Sequence, residues 1–117
     1  MVLGMLAFSL NAVADSNDRY IQDVERRLEP ILHVGTSKTK VRDFLHKEEL
    51  SPNDKSQQDC EKQRNANRKC LGGGYMHVRV PVRKVLNPIE SGVHIIFYFD
   101  AEDRLVEYGK RVAHTFL

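Results

Sequence analysis

The chain has 117 residues, of which 41% are hydrophobic and 29% charged, with a formal net charge of +2. That is the composition of one globular domain rather than of a disordered segment. A charge so close to neutral gives no argument for nucleic-acid binding, which would show a dense basic stripe, and no apolar run reaches the ~18 residues a transmembrane segment needs.

Residues 1–14 read MVLGMLAFSLNAVA. Residues 2–10 are apolar or small, and Ala12-Val13-Ala14 supplies the small-x-small pattern that signal peptidase accepts. An abrupt polar run, Asp15-Ser16-Asn17-Asp18, follows. The expectation is a signal peptide at 1–14 and a single domain at 15–117, located in the periplasm of a Gram-negative cell. No Lys or Arg precedes the apolar run, and the alternative is a short buried helix. No Cys follows the run, so the pattern does not indicate lipid attachment.

Residues 17–32 carry Ile21, Val24, Leu28, Ile31 and Leu32 at helical spacing, one apolar stripe. Asn17 or Asp18 can cap its start, and Pro30 predicts that the helix ends near Leu28 or Glu29. Gly35 breaks the chain. Thr36 or Ser37 then caps a second helix at about 37–47, with Val41, Phe44 and Leu45 on its apolar face. Two striped helices joined by a short turn read as a helical hairpin.

Residues 48–74 hold little apolar content and are expected to form one long loop, with Gly72-Gly73-Gly74 as a hinge into the sheet. The glycines lack the Lys-Ser/Thr of a phosphate-binding loop. Cys60 and Cys70 are the only cysteines. An even count in an exported chain favours a disulfide, here across a polar ring worth ~2.5–3 kcal/mol by chain entropy. A metal site on the two cysteines would need further ligands, and His77 is the one candidate nearby.

Beyond residue 74 the period changes to two. Met76, Val78, Val80 and Val82 alternate with His77, Arg79, Pro81 and Arg83. Pro81 suggests an edge strand. Residues 93–99 are the richest β segment. Residues 100–104 read as a tight turn with Asp103 in the left-handed position, and 105–115 return as the last strand. The predicted fold class is α+β: an N-terminal helical hairpin packed on a three-stranded antiparallel sheet.

Two segments resemble a known family. They are Val34-Gly35-Thr36-Ser37 with Val41, Phe44 and Leu45, and Ile95-Ile96-Phe97-Tyr98-Phe99-Asp100 leading to Arg104-Leu105-Val106. Together they resemble the SmpA/OmlA (BamE-like) family of small envelope lipoproteins linked to outer-membrane barrel assembly. That αα-βββ fold is shared by β-lactamase inhibitor proteins. The resemblance implies fold and compartment.

No feature points to catalysis. Gly-x-Ser-x-Gly is absent, no histidine pair has i, i+4 spacing, and the carboxylates at 100–103 sit on a turn. No cofactor or metal site is expected, and His77 with His94 reads as two surface histidines. With a three-residue hairpin loop, alternation puts Ile96, Tyr98, Val106 and Tyr108 on one sheet face, rimmed by His77, Arg79, His94 and Lys110. That face is the expected protein-binding surface, with the basic rim favouring an acidic partner. The alternatives are that the 48–74 loop folds over this face or that the faces are reversed. Oligomeric state stays open, with sheet-edge and sheet-face homodimers both compatible. The expected function is an exported protein-binding domain of the envelope-assembly accessory type. The alternative is an inhibitor or immunity protein that blocks a secreted or periplasmic enzyme.

Overall fold

The helical stripe and the β alternation both bury their apolar side against each other. The result is seen in a computed structural model that describes residues 12–63, 69–82 and 89–116. Helix α1 spans Ala12–Arg27. A single 3-10 turn at Glu29–Ile31 follows, with Pro30 in its first turn, where a missing N–H costs nothing. Helix α2 spans Lys38–Lys47, and the Ser37 hydroxyl caps it by accepting from the Lys40 N–H at 3.2 Å. The expected signal peptide falls mostly on residues 1–11, outside the described residues. Ala12–Ala14 form the first turn of α1.

Residues 48–74 are more ordered than a single loop. They contain strand β1 (Asn53–Lys55) and helix α3 (Gln57–Gln63). Strand β2 runs Gly72–Val82, β3 Ile89–Asp100 and β4 Leu105–Phe116. The sheet has four antiparallel strands in the order β1-β2-β3-β4, one more than predicted. β1 is three polar residues long and exists only as a partner for Tyr75–His77. The glycines are no hinge. A Cβ at Gly73 would lie 2.1 Å from the Asp100 carbonyl oxygen, and one at Gly74 2.0 Å from the Lys55 carbonyl oxygen. Only glycine lets three strands and a turn approach this closely.

The main core lies between the helices and one sheet face. Val24, Leu28, Ile31, Val41 and Leu45 meet Met76, Val78, Val80, Val93, Ile95, Phe97, Phe99 and Leu105. Each fully buried side chain of this kind contributes roughly 1.5–3 kcal/mol. The hairpin linker is stitched to the β3–β4 turn. Gly35 N–H donates to the Leu105 carbonyl, Leu105 N–H to Thr36 and Lys38 N–H to Asp103, each at 2.8 Å. Asp103 takes a φ of 59°, as the turn predicts. At the other end of the hairpin, Arg27 Nε bonds Glu48 Oε1 at 3.0 Å and its Nη2 bonds the Glu48 carbonyl at 2.9 Å.

The opposite sheet face carries a second, small cluster: Cys60 of α3 with Tyr75, Ile96 and Tyr98. The domain is therefore three-layered, with α1 and α2 on one face and α3 over part of the other.

Candidate functional site

The hairpin pairs Phe99 with Leu105, as the three-residue loop predicts. The ladder then slips. Tyr98 pairs with Glu107 and Phe97 with Tyr108, so Val106 is the extra residue of a β-bulge. A one-residue insertion reverses every later side chain of β4. Tyr108 and Lys110 thus lie on the helix face, and Glu107, Gly109 and Arg111 take their places on the outer face.

This corrects the expected binding surface. Tyr108 donates its hydroxyl hydrogen to Glu25 of α1, and Lys110 Nζ reaches the same carboxylate oxygen at 3.0 Å. Partial burial pushes the Glu25 carboxyl up. The hydrogen bonds from Tyr108 and Lys110, with the Lys110 charge, together outweigh that, so Glu25 sits below its ordinary 4.5. Burial and then the Glu25 contact push the Tyr108 hydroxyl up to about 12. This group locks β4 to α1.

Ile96 and Tyr98 do share the outer face, but they are only 7% and 5% exposed. Helix α3 covers them. The Cys60–Cys70 disulfide forms, and Cys60 is 2% exposed. The bridge therefore anchors a buried contact rather than merely tying down a solvated loop. Tyr75 donates its hydroxyl to Gln63 Oε1 at 2.6 Å, and Gln57 Oε1 accepts from the Gly72 and Gly74 N–H groups at 2.9 and 3.1 Å. Those contacts fix α3 on β2. Beside it, Lys69 Nζ pairs with Glu107 at 2.7 Å, and that hydrogen bond raises the Lys69 ammonium above its ordinary value.

Beyond α3 the outer face continues as a basic row. The register sets Arg79 of β2 opposite His94 of β3, and His94 opposite Arg111 of β4. His77 stands diagonally beside His94. Its Nε2 lies 2.7 Å from His94 Nδ1, with ring centroids 4.9 Å apart and planes 21° apart. One of the two facing nitrogens carries the shared hydrogen. The next row is small: Pro81, Gly92 and Ala113. Arg79 lies flat over Gly92, since a Cβ there would sit 2.7 Å from Arg79 Nε. His77, Arg79 and His94 are half-buried and Arg111 is exposed. Of the eight residues expected on the binding face, His77, Arg79 and His94 are thus together. Val106 is exposed at the bulge, Ile96 and Tyr98 are covered, and Tyr108 and Lys110 are on the other side.

Arg111 was missed because the bulge, not the alternation, sets its face. A second pair was also unforeseen: Ser91 Oγ lies 2.6 Å from His114 Nδ1. Ser91 has no exposed surface, so no substrate reaches its hydroxyl. Among the described residues, no group of three His, Cys, Asp or Glu side chains converges as a metal site would require. Among the described residues, no helix is long and apolar enough to cross a membrane. No family model matches the chain, and no curated protein or solved structure matches it.

Proposed function

We propose that this chain is an exported domain that binds another protein through the outer sheet face, without catalysis. The observation that carries the reading is the row Arg79–His94–Arg111, with His77 beside it, on the part of that face that α3 leaves uncovered. Three strands hold the row rigidly, so little side-chain and backbone freedom is lost on binding. Gly92 lets the Arg79 side chain lie flat against the sheet, which holds its guanidinium in place beside His94. Guanidinium groups favour carboxylates, which makes an acidic protein surface the fitting partner. The Ala12-Val13-Ala14 pattern and the disulfide support a periplasmic location. The α1–α2 hairpin packed on the β2-β3-β4 meander and the SmpA/OmlA resemblance support an envelope-assembly accessory. The disulfide-fixed α3 beside the row favours a second reading, an inhibitor or immunity protein that presents a rigid surface to a secreted enzyme.

The test is affinity capture from periplasmic extract with wild type and Arg79→Glu, alongside thermal melts of both. Loss of the captured protein at an unchanged melting temperature supports the reading. Equal capture by both removes the basic row as the binding surface. N-terminal sequencing of the protein recovered from the periplasm should begin at Asp15. Among the described residues, cleavage there removes Ala12–Ala14 of α1 and no member of the core cluster.

A further inference from the structure

The sheet has two free edges, and they are unlike. On the β2 edge, β1 covers Tyr75–His77, and Pro81 has no N–H to offer. The β4 edge is twelve residues long, and among the described residues backbone hydrogen bonds cover it only at its start. There Leu105 turns its N–H and C=O outward to Thr36 and Gly35. Past the bulge, ladder alternation turns the backbone groups of Tyr108, Lys110 and Val112 outward. Such a row of unpaired donors and acceptors is a template for another strand.

The charge order of β4 selects the strand that fits. It reads Glu107-Tyr108-Gly109-Lys110-Arg111 around a central glycine. We propose that β4 pairs antiparallel with β4 of a second copy of this chain, across a two-fold axis at Gly109, to form one continuous eight-stranded sheet. In this register Glu107 of each copy faces Arg111 of the other on the outer face. Tyr108 faces Lys110 on the helix face, and Val106 faces Val112. The partnering is reciprocal, as a two-fold interface requires. Sliding the centre to Lys110 sets two ammonium groups against each other and leaves Glu107 opposite Ala113. Sliding it to Tyr108 puts Val106 against Lys110 and removes the Glu107–Arg111 match. Glu107 can serve both its neighbour Lys69, which holds one carboxylate oxygen, and Arg111 of the second copy. Arg111 makes no ion pair among the described residues. In the dimer Arg111 is engaged at the seam, and Arg79 and His94 of the two copies lie on either side of one axis. The pairing itself does not depend on that proposal.

Sedimentation of the full chain over a concentration series tests the pairing. Wild type should be a concentration-dependent dimer. Glu107→Arg and Arg111→Glu should each weaken it at least about tenfold, because two facing pairs turn repulsive. The double variant Glu107→Arg/Arg111→Glu should restore it, because the exchange preserves complementarity only in this register. A second readout does not rely on charge. Gly109→Cys places a thiol at the axis, where a non-hydrogen-bonded pair brings the Cα atoms to about 4.5 Å. A Cβ at 109 meets only Tyr98 Cε2, at 3.8 Å. Mild oxidation should yield a dimer linked 109 to 109, and Arg111→Cys should not cross-link to itself. A monomer at every concentration, a double variant that stays weak, or 111-to-111 linkage overturns the proposal. So does capture of a foreign strand on β4 without self-association.

Discussion

The two faces of the sheet are built from the same strands by different means. On the helix face, eight buried strand residues among those described form a continuous apolar layer closed by two amphipathic helices. The outer face has Tyr75, Ile96 and Tyr98 buried at one end under a seven-residue helix anchored by a disulfide, and charged or small side chains at the other. The difference teaches that a sheet needs only one fully packed face. Once that face secures the strands, the other can carry basic groups and a clipped-on cover. Burial of apolar area stabilises the first face, and chain constraint and hydrogen bonds stabilise the cover.

The contrast breaks hardest at Phe97, which has no exposed surface and sits at the centre of the helix face. Phe97→Ala should cost about 3–5 kcal/mol, measured by denaturant unfolding. Removal of the disulfide with Cys60→Ala/Cys70→Ala should cost at most about 3 kcal/mol and leave a cooperative transition. Tyr98→Ala, one residue from Phe97 but on the opposite face, should cost about 2 kcal/mol. Its cluster is small and can partly collapse onto the cavity.

Much of this was legible in the sequence. Ile21, Val24 and Leu28, the Ser37 cap, the alternation from Met76 to Val82 and the left-handed Asp103 all follow from local rules. The misses have physical reasons. β1 and α3 carry no periodic apolar stripe, since Asn53-Asp54-Lys55 is polar and Cys60 is the only buried residue of α3. Both are held by contacts with β2, and local pattern does not encode such contacts. The bulge at Val106 is set by ladder hydrogen bonds, and it moved Tyr108 and Lys110 across the sheet. The row Arg79–His94–Arg111 appears only once that register is known.

The smallest predicted effect sharpens how β4 is locked to the helix face. Glu25 is held below its ordinary 4.5, so its contribution is present above that value and is lost as pH falls through the folded-state value. Glu25→Gln should lower stability by up to about 1 kcal/mol at neutral pH and flatten this acid limb in melts across the range. Tyr108 acts at the other extreme. Its pKa is raised, so the folded state keeps the proton longer than the unfolded chain, and stability should fall as pH rises from 10 towards 12.

The separate stabilisation of the two faces is tested most directly by hydrogen exchange, measured segment by segment on oxidised and reduced protein. Reduction of Cys60–Cys70 should raise exchange in α3 and β1 while Val78–Val80, Val93–Phe99 and α2 keep their protection. Simultaneous loss of protection in all of these segments would contradict it, and would mean that the cover and the helix-face core form one cooperative unit.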